Sequence, residues 1–252
     1  MRKVEGFTLL AAITLALPAQ AADWYTGVPT DGPQTRPPTA ALDVVADGVS
    51  QRAFSGAVIG TIAPYSDLET SGLRLRIAGL GGVYRYNSTA TLTSPAHGIE
   101  GRLADGAAMV GYEWVTKTTT VAGYVGAEIV NNHITPDDPN NTVKGTRGGL
   151  RIGVDAYVTP SDQTMLSGVA YYSTNNSAYY ARGKFGMAIG DRVYIGPEVA
   201  ILGDNFFRQM RIGGHVSGVR FGALQLGVAT GFMSDRVRGS GAYGTLESRL
   251  TF

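Results

Sequence analysis

From about Ala40 to the C-terminus the chain falls into segments of roughly ten residues in which apolar and polar positions alternate. The clearest is 147–158, RGGLRIGVDAYV. There Leu150, Ile152, Val154, Ala156 and Val158 share one face, while Arg147, Arg151, Asp155 and Tyr157 share the other. Residues 192–201 repeat the device, with Val193, Ile195, Val199 and Ile201 opposed to Arg192, Tyr194 and Glu198. Residues 206–219 set Met210, Ile212 and Val216 against Gln209, Arg211, His215 and Ser217. Residues 223–232 oppose Leu224, Leu226, Val228 and Phe232 to Gln225 and several small residues; 242–252 oppose Leu246, Leu250 and Phe252 to Tyr243, Glu247 and Arg249. A helix would scatter these sets around its circumference, whereas a strand separates them.

Less regular members complete the series. Residues 72–86 begin with Leu73, Leu75 and Ile77 against Arg74 and Arg76 and then blur through glycines. Residues 103–115 and 119–130 are rich in Gly and Ala, with Glu113, Tyr124 and Glu128 on the polar face. With 163–173, 178–189, 52–62 and 40–46 the set comes to about twelve strands. Tight connections fall at 116–118, 159–162, 190–191 and 220–222. The longer ones between them are 87–102, 131–146, 174–177, 203–205 and 234–241. Short periplasmic turns alternating with longer outer loops are the habit of outer-membrane barrels. The pattern therefore predicts an all-β, transmembrane, antiparallel up-and-down β-barrel with an even number of strands and both chain ends in the periplasm.

The N-terminus predicts how the chain reaches that membrane. Arg2 and Lys3 precede an apolar stretch from Phe7 to Leu17 and a small-residue site at Ala19-Gln20-Ala21, the layout of a cleaved secretory signal. The apolar stretch is shorter than the roughly 20 residues a spanning helix needs. Residues 27–39 carry Pro29, Pro33, Pro37 and Pro38, which exclude helix and central strand alike. The expected organisation is a signal peptide at 1–22, a Pro-rich linker at 23–39 and a barrel at 40–252, placed in the outer membrane. Loss of the signal removes Arg2, Lys3 and Glu5 and leaves the chain formally neutral.

Composition sharpens the choice between a barrel in lipid and a soluble β-sandwich, since both alternate. Only 16% of the 252 residues are charged, against about 25% in ordinary soluble domains. The charges gather on one strand face, as expected if the other face meets lipid, where a mid-depth charge costs roughly 2–4 kcal/mol. Near neutrality argues against a nucleic-acid partner, and the absence of cysteine excludes disulfides and thiolate chemistry. Aromatics near strand ends (Tyr84, Tyr86, Tyr112, Trp114, Tyr171, Tyr172, Tyr179, Tyr180, Phe206 and Phe207) are candidates for the interfacial girdles. The final apolar strand ends on Phe252, similar to the assembly signal of outer-membrane barrels, although Glu247 and Ser248 stand where a Gly is usual.

The stretch DNFFRQMRIGGHVSGVRFGALQLGVATGFMSDRVRGSGAYGTLESRLTF, 204–252, resembles the bacterial cellulose biosynthesis protein BcsS family. So does GLRLRIAGLGGVYRY, 72–86, with its YRY ending after a Gly-rich strand. The resemblance implies an exported outer-membrane protein associated with cellulose production in Gram-negative bacteria. Its implied partners are outer-membrane lipid and cellulose or other components of its synthesis, and it brings no catalytic residues.

Motifs for chemistry are few. His133, Asp137 and Asp138, near Asn140 and Asn141, fall in an expected outer loop whose composition is that of a solvated turn. His97 has no ligand-spaced neighbour. His215 and Ser217 point the same way on one strand, so the imidazole could activate the hydroxyl. Outer-membrane lipid A deacylases look similar, but their pair faces lipid, whereas this one falls among lumen-facing residues and the next strand carries no acid. Gly239 to Gly244 matches G-x-G-x-x-G without a following helix to receive a phosphate. No cofactor or metal is expected.

The lumen-facing set is the more informative: Arg74, Arg76, Glu113, Glu128, Arg147, Arg151 and Asp155 in the first half of the barrel. Arg182, Lys184, Arg192, Glu198, Arg211, Glu247 and Arg249 complete it in the second. These charges either pair across strands and fill the barrel or line a hydrated path for a polar polymer, with Tyr124, Tyr157 and Tyr194 offering faces to sugar rings. Strand number alone does not choose between them. The expected function is a non-enzymatic accessory to cellulose synthesis or export, as scaffold or conduit. A general diffusion channel and, at greater distance, an acyl hydrolase using His215 and Ser217 are the alternatives.

Overall fold

The computed structural model describes residues 37–88, 98–190 and 193–252. The signal and most of the Pro-rich lead lie outside these residues, as do His97 and Arg192. Twelve strands follow in order: β1 Ala40–Val49, β2 Ala53–Ile62, β3 Gly72–Tyr86, β4 Ile99–Val115, β5 Thr119–Thr135 and β6 Gly145–Ser161. They continue as β7 Thr164–Ser173, β8 Tyr179–Gly190, β9 Val193–Gly203, β10 Arg208–Phe221, β11 Leu224–Asp235 and β12 Gly239–Thr251. Each strand pairs antiparallel with its neighbours in sequence, and β1 pairs with β12 to close the barrel. At the seam Thr39 and Ala40 donate to the Phe252 carbonyl, and the Phe252 amide donates to Ala40. Closure satisfies the backbone groups that hydrocarbon cannot.

Every strand alternates between a lumen side and an exterior side, and the exterior is apolar on all twelve. Ile77 and Phe232 are 71% and 76% exposed, and Leu150, Ile152, Met210, Ile212 and Leu246 behave alike. Water would not tolerate so continuous a belt; lipid requires it. The outward positions of β4 run from Trp114 to Ala104 and then turn polar at Arg102 and Glu100. At the usual rise and a 35–45° tilt this stretch is about 25 Å tall, the height of a hydrocarbon band. Among the described residues no helix is long and apolar enough to cross a membrane.

The two rims differ. The rim that holds both chain ends carries the connections 116–118, 162–163 and 222–223, with 63–71 as its longest described loop. That loop departs from the expectation of short turns here because it folds over the rim. Its Leu68 is buried with Ala41 and Ala63, and the Leu68 amide donates to Pro38. The opposite rim carries 50–52, 136–144, 174–178, 204–207 and 236–238. The stretch 234–241, read above as a long connection, is mostly strand, and only residues 236–238 turn. On β10 Gly218 adopts φ +87° at a bulge between Ser217 and Val219, a conformation that favours glycine.

Candidate functional site

The lumen half nearest the chain ends is filled by charge pairs. Arg74 enters from the start of β3 and meets Glu113 on β4 at 2.7 Å, while its remaining donors go to the Thr70 and Leu73 carbonyls and Ser66 Oγ. One repeat higher, Arg76 reaches past β4 and β5 to Asp155 on β6 at 2.6 Å and lies 3.6 Å over the Tyr124 ring. Arg249 Nε approaches Asp43 at 3.6 Å across the seam. On the other wall Arg182 bonds both Glu198 and Glu247, Lys184 donates to Glu247 at 2.6 Å, and the Tyr243 hydroxyl donates to Glu198 at 3.0 Å. Tyr157, Met165 and Tyr194 pack together below them. All these side chains are buried, which two-residue alternation secures by aiming each at the same narrow interior.

Glycine makes room for the rings. A Cβ on Gly111 would overlap the ring of Tyr124, its partner on β5, and a Cβ on Gly101 would overlap Tyr84 on β3. Each tyrosine lies flat across the bare backbone of the neighbouring strand, which accounts for part of the chain's high content of both residues.

Above the filled half the lumen opens into two adjoining voids of about 220 Å³ each, which share Asp47, Ser55, Arg151, Tyr171, Leu202 and Arg211 as lining. The upper one reaches the rim opposite the chain ends, at Asn176, Phe206 and Val237. Its charges are compensated. Arg151 bonds Asp105 and Glu128, Arg211 holds Asp47 at 2.6 and 2.9 Å, and Arg238 holds Asp235 at 2.5 Å. The loops above are tied down: Tyr86 donates to Asp138 at 2.9 Å, Asn141 to Tyr86 at 3.0 Å, and the Asn205 amide to the Asn176 carbonyl at 3.0 Å. Asp204 accepts from the Phe206 and Phe207 amides, and burial lifts its carboxyl above the usual carboxylate range.

Of the residues singled out in sequence, Arg74, Arg76, Glu113, Glu128, Arg151, Asp155, Arg182, Lys184, Glu198, Glu247 and Arg249 are all buried in the interior. Arg211 is half-buried there, whereas Arg147 sits exposed at the loop rim against the Thr142 carbonyl. Tyr124, Tyr157 and Tyr194 are buried among other side chains, so none turns a face to open space. Several presumed girdle aromatics also sit elsewhere. Tyr112, Trp114 and Tyr172 are exposed on the exterior, but Tyr84, Tyr86, Tyr171, Tyr180, Phe206 and Phe207 line the open chamber. Alternation from Arg74 through Tyr86 would have assigned the β3 pair. Asp47, Asp105 and Gln209 complete the chamber wall; Asp43 and Asp47 share parity on β1, the strand whose pattern was faintest.

His133, Asp137 and Asp138 do not converge. Asp138 faces Tyr86 and Ser88, Asp137 pairs with Lys144 at 2.5 Å, and His133 meets Thr135 at 3.2 Å. His215 Nδ1 lies 2.9 Å from Ser217 Oγ, as two-residue spacing requires. Its Nε2 faces the Phe185 carbonyl at 3.0 Å, where a triad would place a carboxylate. Both residues are fully buried beneath the chamber.

The family profile described as cellulose biosynthesis protein BcsS matches residues 42–252, the whole barrel but for its first two residues. No curated protein matches the sequence. Among solved structures the chain is similar to LpxR from Salmonella typhimurium, at 8% identity over 84% of this chain and 100% of that one, TM-score 0.47. It is also similar to the KdgM porin, at 7% identity over 84% and 99%, TM-score 0.42. A third is the β domain of the Bordetella autotransporter BrkA, at 9% identity over 86% and 100%, TM-score 0.43. At such likeness no residue and no role transfers.

Proposed function

The chain belongs to the cellulose biosynthesis protein BcsS family, and from that premise we propose that it serves cellulose production as a closed-lumen scaffold in the outer membrane. The observation that carries the reading is the interior layer in which Arg76–Asp155 ties β3 to β6 and the Arg182–Glu247–Lys184 group ties β8 to β12 across the barrel, with Glu198 of neighbouring β9 also holding Arg182. A threaded glucan would have to part several of these pairs at once. Stripping one partner from a buried pair costs about 3–5 kcal/mol. The same layer argues against a general diffusion channel. The apolar belt supports a membrane site, and the short turns at the rim that holds the chain ends support the periplasm for that rim.

The role is tested by fractionation followed by gene deletion. The native protein should accompany the outer membrane and run as a faster band when unheated. Its loss should lower cellulose retained at the cell surface while β-glucan synthesis by isolated inner membranes is unchanged. A soluble protein without a heat-dependent shift, or unaltered surface cellulose in the deletion strain, contradicts the reading.

A further inference from the structure

We propose that Arg208 and Arg236, with Tyr179 beside them, hold the phosphate of a lipid headgroup on the outside of the barrel, an inference that rests on the outer-membrane reading above. One row of paired positions crosses four strands at this height. Tyr172 of β7 faces Tyr179 of β8, Tyr179 faces Gly203 of β9, and Gly203 faces Arg208 of β10. The Arg236 amide, just past β11, donates to the Arg208 carbonyl at 2.9 Å and extends the row by one place. The row belongs to the exterior face, because Tyr172 is exposed there and Arg208 shares its parity with Met210 and Ile212 of the apolar belt. Gly203 leaves room in it: a Cβ there would stand 2.9 Å from the Tyr179 hydroxyl and 3.1 Å from the Arg208 Cα. The phenol therefore lies over bare backbone, and its hydroxyl ends on the side of Arg208 without a hydrogen-bond partner among the described residues.

Charge and height choose the ligand. Arg208 and Arg236 are both exposed, and like charges on facing positions repel. The acids nearby do not relieve them. Asp204 accepts from the Phe206 and Phe207 amides, and Asp235 is taken by Gln209, Arg238 and the Val237 amide. No carboxylate among the described residues pairs with either arginine. Arg208 stands two residues past Met210, about 5 Å higher at the usual rise and tilt, where hydrocarbon gives way to headgroups. The rim leans the same way: exposed Arg52 and Arg147 also stand on it without a carboxylate, whereas the rim at the chain ends exposes Glu69 and Asp162 beside Lys117. A phosphate offers oxygens to both guanidinium forks and to the phenol hydroxyl at once, and its charge offsets their repulsion.

The test is native mass spectrometry of the full barrel in nonionic detergent, titrated with bisphosphorylated lipid A, with folding of every variant checked by heat-dependent migration. The parent should bind the lipid saturably. Arg208→Gln combined with Arg236→Gln should weaken that binding about tenfold or more, and Tyr179→Phe by about threefold. Arg52→Gln removes the same kind of charge elsewhere on the rim and should leave the affinity unchanged. Lipid A stripped of its phosphates should bind the parent as weakly as the intact lipid binds the double variant, and inorganic phosphate should not displace it. Absence of binding to the folded parent, equal affinity in the double variant, an equal loss in Arg52→Gln, equal affinity for the dephosphorylated lipid, or displacement by inorganic phosphate overturns the proposal. If the protein fractionates with the outer membrane and its deletion lowers surface cellulose while the double variant binds lipid A like the parent, only this site falls. A soluble protein without a heat-dependent shift removes the outer-membrane reading itself.

Discussion

Lys184 on β8 donates to Glu247 on β12 at 2.6 Å, joining two strands that are four places apart around the barrel. Arg182 holds the other oxygen of the same carboxylate. Glu247→Ala therefore removes a carboxylate from two buried cations at once, while Arg182 keeps its bond to Glu198. The variant should lose about 3–5 kcal/mol of stability, read as a lower midpoint for the heat-dependent gel shift. Lys184→Met should cost less, because Arg182 keeps Glu247 paired. Equal midpoints for Glu247→Ala and the parent would show that the cross-lumen tie does not bear on stability.

Gly111 and Tyr124 form a second coupled pair. Gly111→Ala places a methyl group against both the Tyr124 ring and the Gly123 carbonyl oxygen and should destabilise by about 1–3 kcal/mol through overpacking, only the ring's share of which Tyr124→Ala relieves. Combining it with Tyr124→Ala should cost less than the sum of the two single changes. Additive effects in this double-mutant cycle would contradict the packing described.

On the exterior, Ile152 lies near mid-height of the apolar belt. Ile152→Lys should cost about 2–4 kcal/mol in a bilayer, whereas Tyr65→Lys, at an 88% exposed position of the 63–71 loop, should change stability by less than about 0.5 kcal/mol. Reversible folding into lipid vesicles compares them. Equal effects would place water, not lipid, around β6.

Ser217→Ala removes the hydroxyl that partners His215 Nδ1. It should cost about 1–3 kcal/mol as an unmet buried polar group and leave acyl release from outer-membrane lipid at the background of the parent. Acyl release by the parent that Ser217→Ala abolishes would make the pair a catalytic one.

The strands were legible because lipid outside and charge inside enforce period two, so β6, β9 and β10 declare themselves in single segments. The lumen set followed from the same parity. Its pairing did not, since Arg76 and Asp155, or Arg211 and Asp47, meet across strands that no local pattern relates. The aromatics show the second limit. Tyr171 and Tyr172 are adjacent in sequence, yet one faces the chamber and the other lipid, and only an exact register separates them. The 63–71 loop is the third: its turn-like composition hides Leu68, which is buried against Ala41 and Ala63 with its amide on the Pro38 carbonyl, partners that no local pattern relates to it.

The closed lumen is the centre of the account, and conductance tests it most directly. The purified barrel, inserted in planar bilayers in simple salt, should give no stable conductance steps, because the ion pairs of Arg76, Arg182 and Lys184 cross the interior. Steady steps of porin-like size, reproducible from one insertion to the next, would mean an open bore and would contradict the closed-scaffold reading.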